Sequence, residues 1–377
     1  MKIEGSNIQD FINLLNSLAN KGNVYIAGAG RNGKIIGEFL TINNIQWVGF
    51  IDKNTVPFEI NNKKIYSYEK MIMENDFFIV SSYLYEKAIV AELKKKKVLD
   101  EKIFCFTNIQ DIIYDIYTLC FDAKQYTQKL QIFHNEYYGK RCFIIGNGPS
   151  LKILDLEKLN NEVTFASNSI YALYESTFWR PTFYCAYDYV FCKNMMSKKE
   201  NIKILISNCK AAFTSIVRDG FQYRNSSDID NLFYVIIKNQ INSETGLPLF
   251  SDDCSKEVYS SGTVTYLMLQ LAIYMGFQEI YLLGVDLSFS VERYKNGKIN
   301  ISEKNNHPKE IEEIEKTFVE DMIKNHGYSY IADVDLHIAG YQAAKEYANT
   351  HKIKIYNATR GGKLEVFERV DFDSLFD

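Results

Sequence analysis

Short apolar runs and helical repeats succeed one another along almost the whole chain, the rhythm of a protein that alternates strand and helix. Ile8, Phe11, Ile12, Leu15 and Leu18 recur at helical spacing, and an apolar run from Val24 to Ala27 follows as a strand. Ile35, Ile36, Phe39 and Leu40 predict a second helix, and Trp47–Ile51 a second strand. Phe77–Val80, a helix over 86–93 and Ile103–Phe106 continue the alternation into a small parallel sheet of about four strands. Residues 108–138 place Ile109, Ile112, Ile113, Ile116, Leu119, Leu130 and Phe133 at helical spacing with no Pro or Gly, which predicts a packed helical connection rather than a loose one.

Past 139 the alternation resumes. Cys142–Ile145 reads as a buried strand and Leu151, Leu154, Leu156 and Leu159 as the helix after it. Further strands are expected at 163–167, 183–187, 204–206 and 232–237. Tyr259–Thr263 open an apolar helix (Val264, Leu267, Leu269, Leu271, Ala272, Met275) that Gly276 stops. A strand at 280–285, a polar stretch at 290–307, a charged helix over 309–325, a helix near 338–349 and a last strand at 352–356 complete the chain. The expectation is an α/β protein with two Rossmann-like domains and mostly parallel sheets, 1–106 and 139–377, joined by a helical linker at 107–138.

Composition narrows the function. The net charge of −4 gives no broad basic face, so nucleic acid is not expected as a partner. Seven cysteines with no C-x-x-C pair read as buried, reduced thiols. The N-terminus lacks the layout of a signal peptide, and no apolar run approaches the roughly 20 residues of a membrane span. A cytoplasmic protein is expected, with peripheral membrane association left open.

Two glycine turns carry the candidate chemistry. Gly28, Gly30 and Gly33 form a complete G-x-G-x-x-G between strand and helix, and Asp52 stands 22 residues past Gly30. That is the layout of a dinucleotide-binding unit, with Asp52 placed for a ribose hydroxyl. The same glycines also serve simply to close a turn. The second turn, Gly146, Asn147, Gly148, Pro149 and Ser150, sets a strand end against a helix start, where free N–H groups can hold a phosphate. It lacks the Gly-Lys-Ser/Thr of a P-loop, and a ligand-free turn is the plain alternative. Asn168, Asp188 and Asp286 follow other strands, at the carboxyl ends where open α/β sheets gather ligands. The 290–307 stretch reads as a lid or a mobile loop.

Ile144–Leu151, the Ser260–Gly262 block, Gly276–Asp286 and the Asn357–Gly362 closing motif, in that order, resemble two related families. These are the bacterial lipooligosaccharide sialyltransferases and the motility accessory factor (Maf-like) glycosyltransferases. The resemblance covers roughly 140–365 and implies a sialyltransferase/Maf-like α/β domain. It further implies a metal-independent transferase that uses a cytidine monophosphate (CMP)-activated nonulosonic acid and a glycan or protein acceptor, in surface-polysaccharide or glycoprotein synthesis. Carried over by position, Gly146, Asn147, Gly148, Ser150, Asn168, Asp188, Ser261, Gly262 and Thr263 would face the donor nucleotide. Asp286 would form the floor of the site and Tyr294 would hydrogen-bond the leaving phosphate. His337, two positions off a gapless count, would be the base. Read from the residues alone, Arg360 beside Gly361 and Gly362 can bind the donor carboxylate bidentately or belong to a surface turn. The departures are Ser288 in place of a second tyrosine, Val258 in place of an acceptor-binding arginine, and Cys185 in place of a second asparagine; they favour the Maf-like branch.

The residues leave alternatives open. His307 is the second candidate base, and Asp333 with Asp335 could share a metal, although Asp228/Asp230 and Asp371/Asp373 repeat that spacing. Some Maf-like relatives are pterin pyrophosphokinases, which need ATP with Mg²⁺ held by carboxylates such as Asp188 and Asp286. A non-catalytic nucleotide-binding module is the third class. No cofactor is required on the transferase reading; an NAD-like ligand on the first domain is the weaker expectation. A homo-oligomer is expected.

Overall fold

The computed structural model of the chain describes residues 2–3, 8–55, 59–60, 62–70, 76–82, 85–106, 109, 112–113, 115–116, 126–188, 191–192, 199–215, 229–288, 291–293, 299–301, 307–314, 316 and 333–376. They divide into two compact units, Met1–Ala123 and Lys124–Asp377.

The strands of the first unit are β1 (Lys2–Ile3), β2 (Asn23–Ala27), β3 (Gly49–Ile51), β4 (Glu59–Ile60), β5 (Lys63–Tyr66), β6 (Asp76–Val80) and β7 (Ile103–Phe106). They form one sheet in the order β1-β7-β6-β2-β3-β5-β4, and every pair is parallel except β4 with β5. The sheet is larger than the four strands expected, because β1, β4 and β5 are two to four residues long, too short to show a period. The helix Ile8–Ala19 buries Phe11, Leu15 and Leu18, and Phe11 meets the Phe106 ring edge-on at 5.1 Å.

The second unit contains β8 (Arg141–Ile145), β9 (Thr164–Ser167), β10 (Phe183–Ala186), β11 (Ala211–Ser215), β12 (Leu232–Val235), β13 (Ile237–Lys238), β14 (Val258–Tyr259), β15 (Glu279–Leu283), β16 (Val291–Arg293), β17 (Ile299–Ile301), β18 (Lys354–Asn357) and β19 (Glu368–Arg369). Eight of these build an all-parallel sheet in the order β12-β11-β10-β9-β8-β15-β18-β19. A parallel sheet is covered on both faces, so its strands read as unbroken apolar runs; β9, β10, β11 and β12 are buried at every residue. The helix Val264–Tyr274 is apolar on all sides and is therefore a core helix rather than a surface one. Thr263 caps it by accepting from the Thr265 N–H at 3.3 Å. Gly276 ends it at φ +91°, where a Cβ would lie 3.0 Å from the Tyr138 backbone.

Several expected elements are corrected. Residues 204–206 are not a strand: Lys199–Leu205 is a helix that buries Ile202 and Leu205 and leaves Ile204 60% exposed, and the strand is β11. A three-residue apolar run cannot by itself distinguish the two. The run 232–237 splits into β12 and β13, and β13 pairs with β14 instead of the main sheet. Within 107–138, the segment Gln128–Phe133 is a 3-10 turn. Its Phe133 ring lies 4.8–6.0 Å from those of Phe183, Phe213 and Phe233, so this part of the segment is core of the second unit. The six described cysteines are buried, and burial pushes the Cys142 and Cys185 thiols well above their ordinary value. Among the described residues, no helix is long and apolar enough to cross a membrane.

Candidate active site

The strand order of the second unit reverses between β8 and β15. From β8 the chain moves outward through β9, β10, β11 and β12, then returns to the far side of β8 as β15. Ligands of open α/β sheets gather at the carboxyl side of such a reversal. The Gly146–Ser150 turn and Asp286 both leave the sheet there.

The turn is used differently from the way its sequence suggests. The Gly146 N–H donates to Leu283 O and the Gly148 N–H to Gly284 O, each at 2.8 Å, and the Leu151 N–H donates to Gly148 O at 3.1 Å. The loops after β8 and β15 thus stay zipped past the ends of both strands, as far as Gly148 and Gly284. The helix that follows begins only at Ile153 and ends at Lys158; it does not present its first turn at Ser150. The amides expected to face a phosphate are largely engaged by the protein itself. The glycines are required by close approach: a Cβ on Gly148 would collide with the Asp286 carboxylate and lie 2.6 Å from Gly284 O.

Asp286 is buried, 6% exposed, and the Ser150 hydroxyl donates to its Oδ2 at 2.8 Å. Burial raises its pKa, while the Ser150 hydrogen bonds and the charges of His307 and Arg369 pull it back down. Gly362, at φ +74°, packs against its backbone, with Cβ space closed at 2.7 Å by Asp286 O. Lys363 N–H donates to that same carbonyl at 2.7 Å. Asp286 is thus enclosed on several sides.

Side chains, rather than amides, are left for a ligand. Asn147 donates through Nδ2 to Ser167 O at 3.2 Å, and its Oδ1 is buried with no hydrogen-bond partner among the described residues. Asn168, held at φ +47°, accepts the Tyr184 hydroxyl on its carbonyl at 2.6 Å, and its Oδ1 is likewise buried and unpartnered. Ser261 Oγ shares that state. An unsatisfied buried polar atom is rare and costs roughly 1–3 kcal/mol; Asn147 follows β8 and Asn168 follows β9, two neighbouring strands of the main sheet, while Ser261 packs against Gly340 of the helix Val334–Thr350.

His337 lies beside this group, on the first turn of the helix Val334–Thr350. It is 5% exposed, and a Cβ on Gly262 would lie 3.3 Å from its ring. Burial lowers its pKa below the ordinary 6.5, against the opposing pull of a hydrogen bond with the Gly262 backbone and the Asp333 charge. It is therefore a neutral imidazole near pH 7, the form that accepts a proton. Asp333 caps the helix, accepting from the Leu336 N–H at 3.1 Å, and Asp335 is exposed one turn in.

The remaining residues have other duties. Asp188 accepts the Phe191 N–H at 2.9 Å. Arg360 grips Asp155 through two hydrogen bonds of 2.9 and 3.0 Å and Asp373 through one of 2.7 Å, which ties the closing motif to the first helix of the unit. Tyr294 lies outside the described residues, between β16 and β17, as does most of the 290–307 stretch. His307 is described, and sequence spacing gave no hint of its position. Its Nδ1 sits 2.6 Å from Asn147 O, across 160 residues of chain.

In the first unit, Gly28 stands at φ +106° and Gly30 caps the helix Arg31–Ile42. A Cβ on Gly33 would collide with Gly28 O. The Asp52 carboxylate accepts the Ala29 N–H at 2.7 Å and the Asn54 N–H at 2.9 Å. The buried Ser81 hydroxyl faces the Ala27 and Gly28 carbonyls at 3.1 and 2.9 Å.

Residues 117–292 match the family model described as 6-hydroxymethylpterin diphosphokinase MptE-like. No curated protein matches the chain. Among solved structures, the MAf glycosyltransferase from Magnetospirillum magneticum AMB-1 is similar at 13% identity and TM-score 0.38, covering 97% of this chain and 62% of that one. The chain thus spans less than two thirds of that protein. The sialyltransferase CstII from Campylobacter jejuni, in complex with the substrate analogue CMP-3FNeuAc, is similar at 17% identity and TM-score 0.34, over 61% of this chain and 86% of that one. The monofunctional alpha-2,3-sialyltransferase Cst-I from Campylobacter jejuni is similar at 17% identity and TM-score 0.31, over 58% and 75%.

Proposed function

We propose that the second unit is a glycosyltransferase that moves a nonulosonic (sialic-type) acid or related sugar from a CMP-activated donor to a glycan or protein hydroxyl. The observation that carries this reading is that Asn147 Oδ1, Asn168 Oδ1 and Ser261 Oγ are buried without a hydrogen-bond partner among the described residues, on residues that the sequence resemblance assigns to the donor nucleotide. Cytidylate offers what they lack, with an amino group and ribose hydroxyls to donate and a phosphate to accept. Neutral, buried His337 suits the other half of the reaction, taking the proton from the acceptor hydroxyl as that oxygen attacks the anomeric carbon. Asp286 holds Ser150 and stiffens the floor, and Thr263 starts the helix that sets Ser261 and Gly262 in place.

A second reading comes from the family description, diphosphate transfer from ATP to a hydroxymethylpterin. That chemistry uses Mg²⁺ on carboxylates. Asp188 and Asp286 accept hydrogen bonds from Phe191 and Ser150, and among the described residues no three metal-ligating side chains converge. Thermal unfolding with added nucleotide separates the two. Stabilisation by CMP without metal is expected; stabilisation only by ATP with Mg²⁺ rejects the transferase in favour of the kinase. Stabilisation by neither rejects both.

A further inference from the structure

Two side chains that the transferase reading sets against the donor depend on one short piece of backbone. Asn147 Nδ2 donates to Ser167 O at 3.2 Å, and the next carbonyl along, Asn168 O, accepts the Tyr184 hydroxyl at 2.6 Å. Ser167 ends β9, and the register with β10 stops there, opposite Cys185. Asn168 then leaves the strand direction at φ +47°, a left-handed conformation that asparagine tolerates better than most residues. Its carbonyl lies past the ladder and takes its hydrogen bond from a side chain.

The strand next door supplies that side chain. Residues alternate between the two faces of β10. Phe183 and Cys185 enter the apolar core of the unit, so Tyr184 points to the opposite face, where it is fully buried. A buried tyrosine needs a partner for its hydroxyl. Tyr184 stands opposite Ala166 in β9, and its hydroxyl reaches two residues further on, to Asn168. Fixing that peptide fixes the direction of the Asn168 Cα–Cβ bond, and with it the reach of Oδ1, which is buried and without a hydrogen-bond partner among the described residues.

We propose that Tyr184 is a positioning residue for the donor: its hydroxyl holds the Asn168 peptide in the left-handed conformation that aims the Asn168 side chain at the nucleotide. This rests on the transferase reading above. Tyr184 acts through Asn168 and not on the ligand.

A double-mutant cycle tests it, read by calorimetric titration of the whole protein with CMP well below its melting temperature. Tyr184→Phe keeps the ring and its packing and removes only the hydroxyl. Tyr184→Phe and Asn168→Ala are each expected to weaken CMP binding by roughly five- to tenfold, the factor of one hydrogen bond. The double variant should bind no more weakly than Asn168→Ala alone, because residues that act through one another do not add. If Tyr184→Phe melts earlier yet binds CMP like the unaltered protein, the tyrosine only satisfies a carbonyl and its positioning role is overturned. A double variant whose loss is the product of the two single losses overturns it equally, and either result leaves the transferase reading standing. Undiminished CMP binding by Asn168→Ala removes Asn168 from the donor and the role of Tyr184 with it. No CMP binding by the unaltered protein overturns both readings. Should Tyr184→Phe fail to fold, Tyr184→Met takes its place in the same cycle and is judged by the same comparison.

Discussion

The two glycine turns look alike in sequence and differ in what surrounds them. Each follows a strand at the point where its sheet reverses direction, β2 beside β6 in the first unit and β8 beside β15 in the second. Each also closes on an aspartate, Asp52 taking the Ala29 N–H and Asp286 taking the Ser150 hydroxyl. At the first turn the serine in reach, Ser81, spans two carbonyls. At the second, Asn147, and Asn168 after the neighbouring strand β9, bury oxygens that no described residue meets, as does Ser261 before the helix Val264–Tyr274. A turn that satisfies its own polar groups holds a fold together, whereas unsatisfied groups impose a cost that a ligand can remove.

Substitutions at matched positions can break or sharpen this contrast. His337→Ala is expected to lower turnover by roughly a hundredfold or more, the scale of a lost general base, while leaving CMP affinity near normal in calorimetry. Near-normal turnover would reject the residue as base. Gly148→Ala, which drives a methyl group into Asp286, should cost about 3 kcal/mol in denaturant unfolding and abolish CMP binding, since overpacking a rigid site shifts backbone as well as side chains. The matched Gly28→Ala, at φ +106° with Ser81 Oγ 2.7 Å from the new Cβ, should cost about 2 kcal/mol with CMP affinity untouched. An equal loss of CMP binding in both would erase the distinction.

The serine pair is the finer test. Ser81→Ala removes a satisfied hydroxyl and should destabilise by about 1 kcal/mol. Ser261→Ala removes an unsatisfied one, so unliganded stability should hold or rise while CMP affinity falls. A loss of stability in Ser261→Ala would show that its hydroxyl has a partner after all.

The pH dependence of stability carries the smallest effect. His337 is held below its ordinary pKa of 6.5 by burial, so the unfolded chain takes up its proton first as pH falls. Its contribution is present above 6.5 and is lost as pH drops through that value toward the depressed one. Asp286 runs the other way. Its raised pKa means that the folded state keeps the proton longer, and stability declines as pH rises from 3.8 through the elevated value. His337→Gln should flatten the slope just below pH 6.5 in equilibrium unfolding, and Asp286→Asn the slope above 3.8. An unchanged profile in either variant would mean that the group titrates alike in both states.

How much of this was legible depended on range. Residues 142–145 and 264–275 announced themselves because burial on all sides leaves no polar face to interrupt the run. The strand at 211–215 was missed and one at 204–206 expected in its place, because Ile204, Leu205 and Ile206 have the composition of either element and only packing assigned Leu205 inward. The short helix at 153–158 was placed two residues early, since nothing in Leu151 or Lys152 shows that Gly148 and Ser150 are bound to the β15 side.

What the sequence determined by itself was the alternation of strand and helix, the two glycine turns and the positions of Asn147, Asn168, Asp286 and His337, since period and residue type are local properties. Tertiary structure alone decided which of those groups are satisfied. It zipped the second turn to the strand that arrives 138 residues later in the pairing of Ile144 with Leu282 and Ile145 with Leu283, engaged Arg360 with Asp155, and brought His307 to Asn147. A hydrogen bond joins whatever lies within about 3 Å, and that nearness is set by the folded path of the chain rather than by spacing along it.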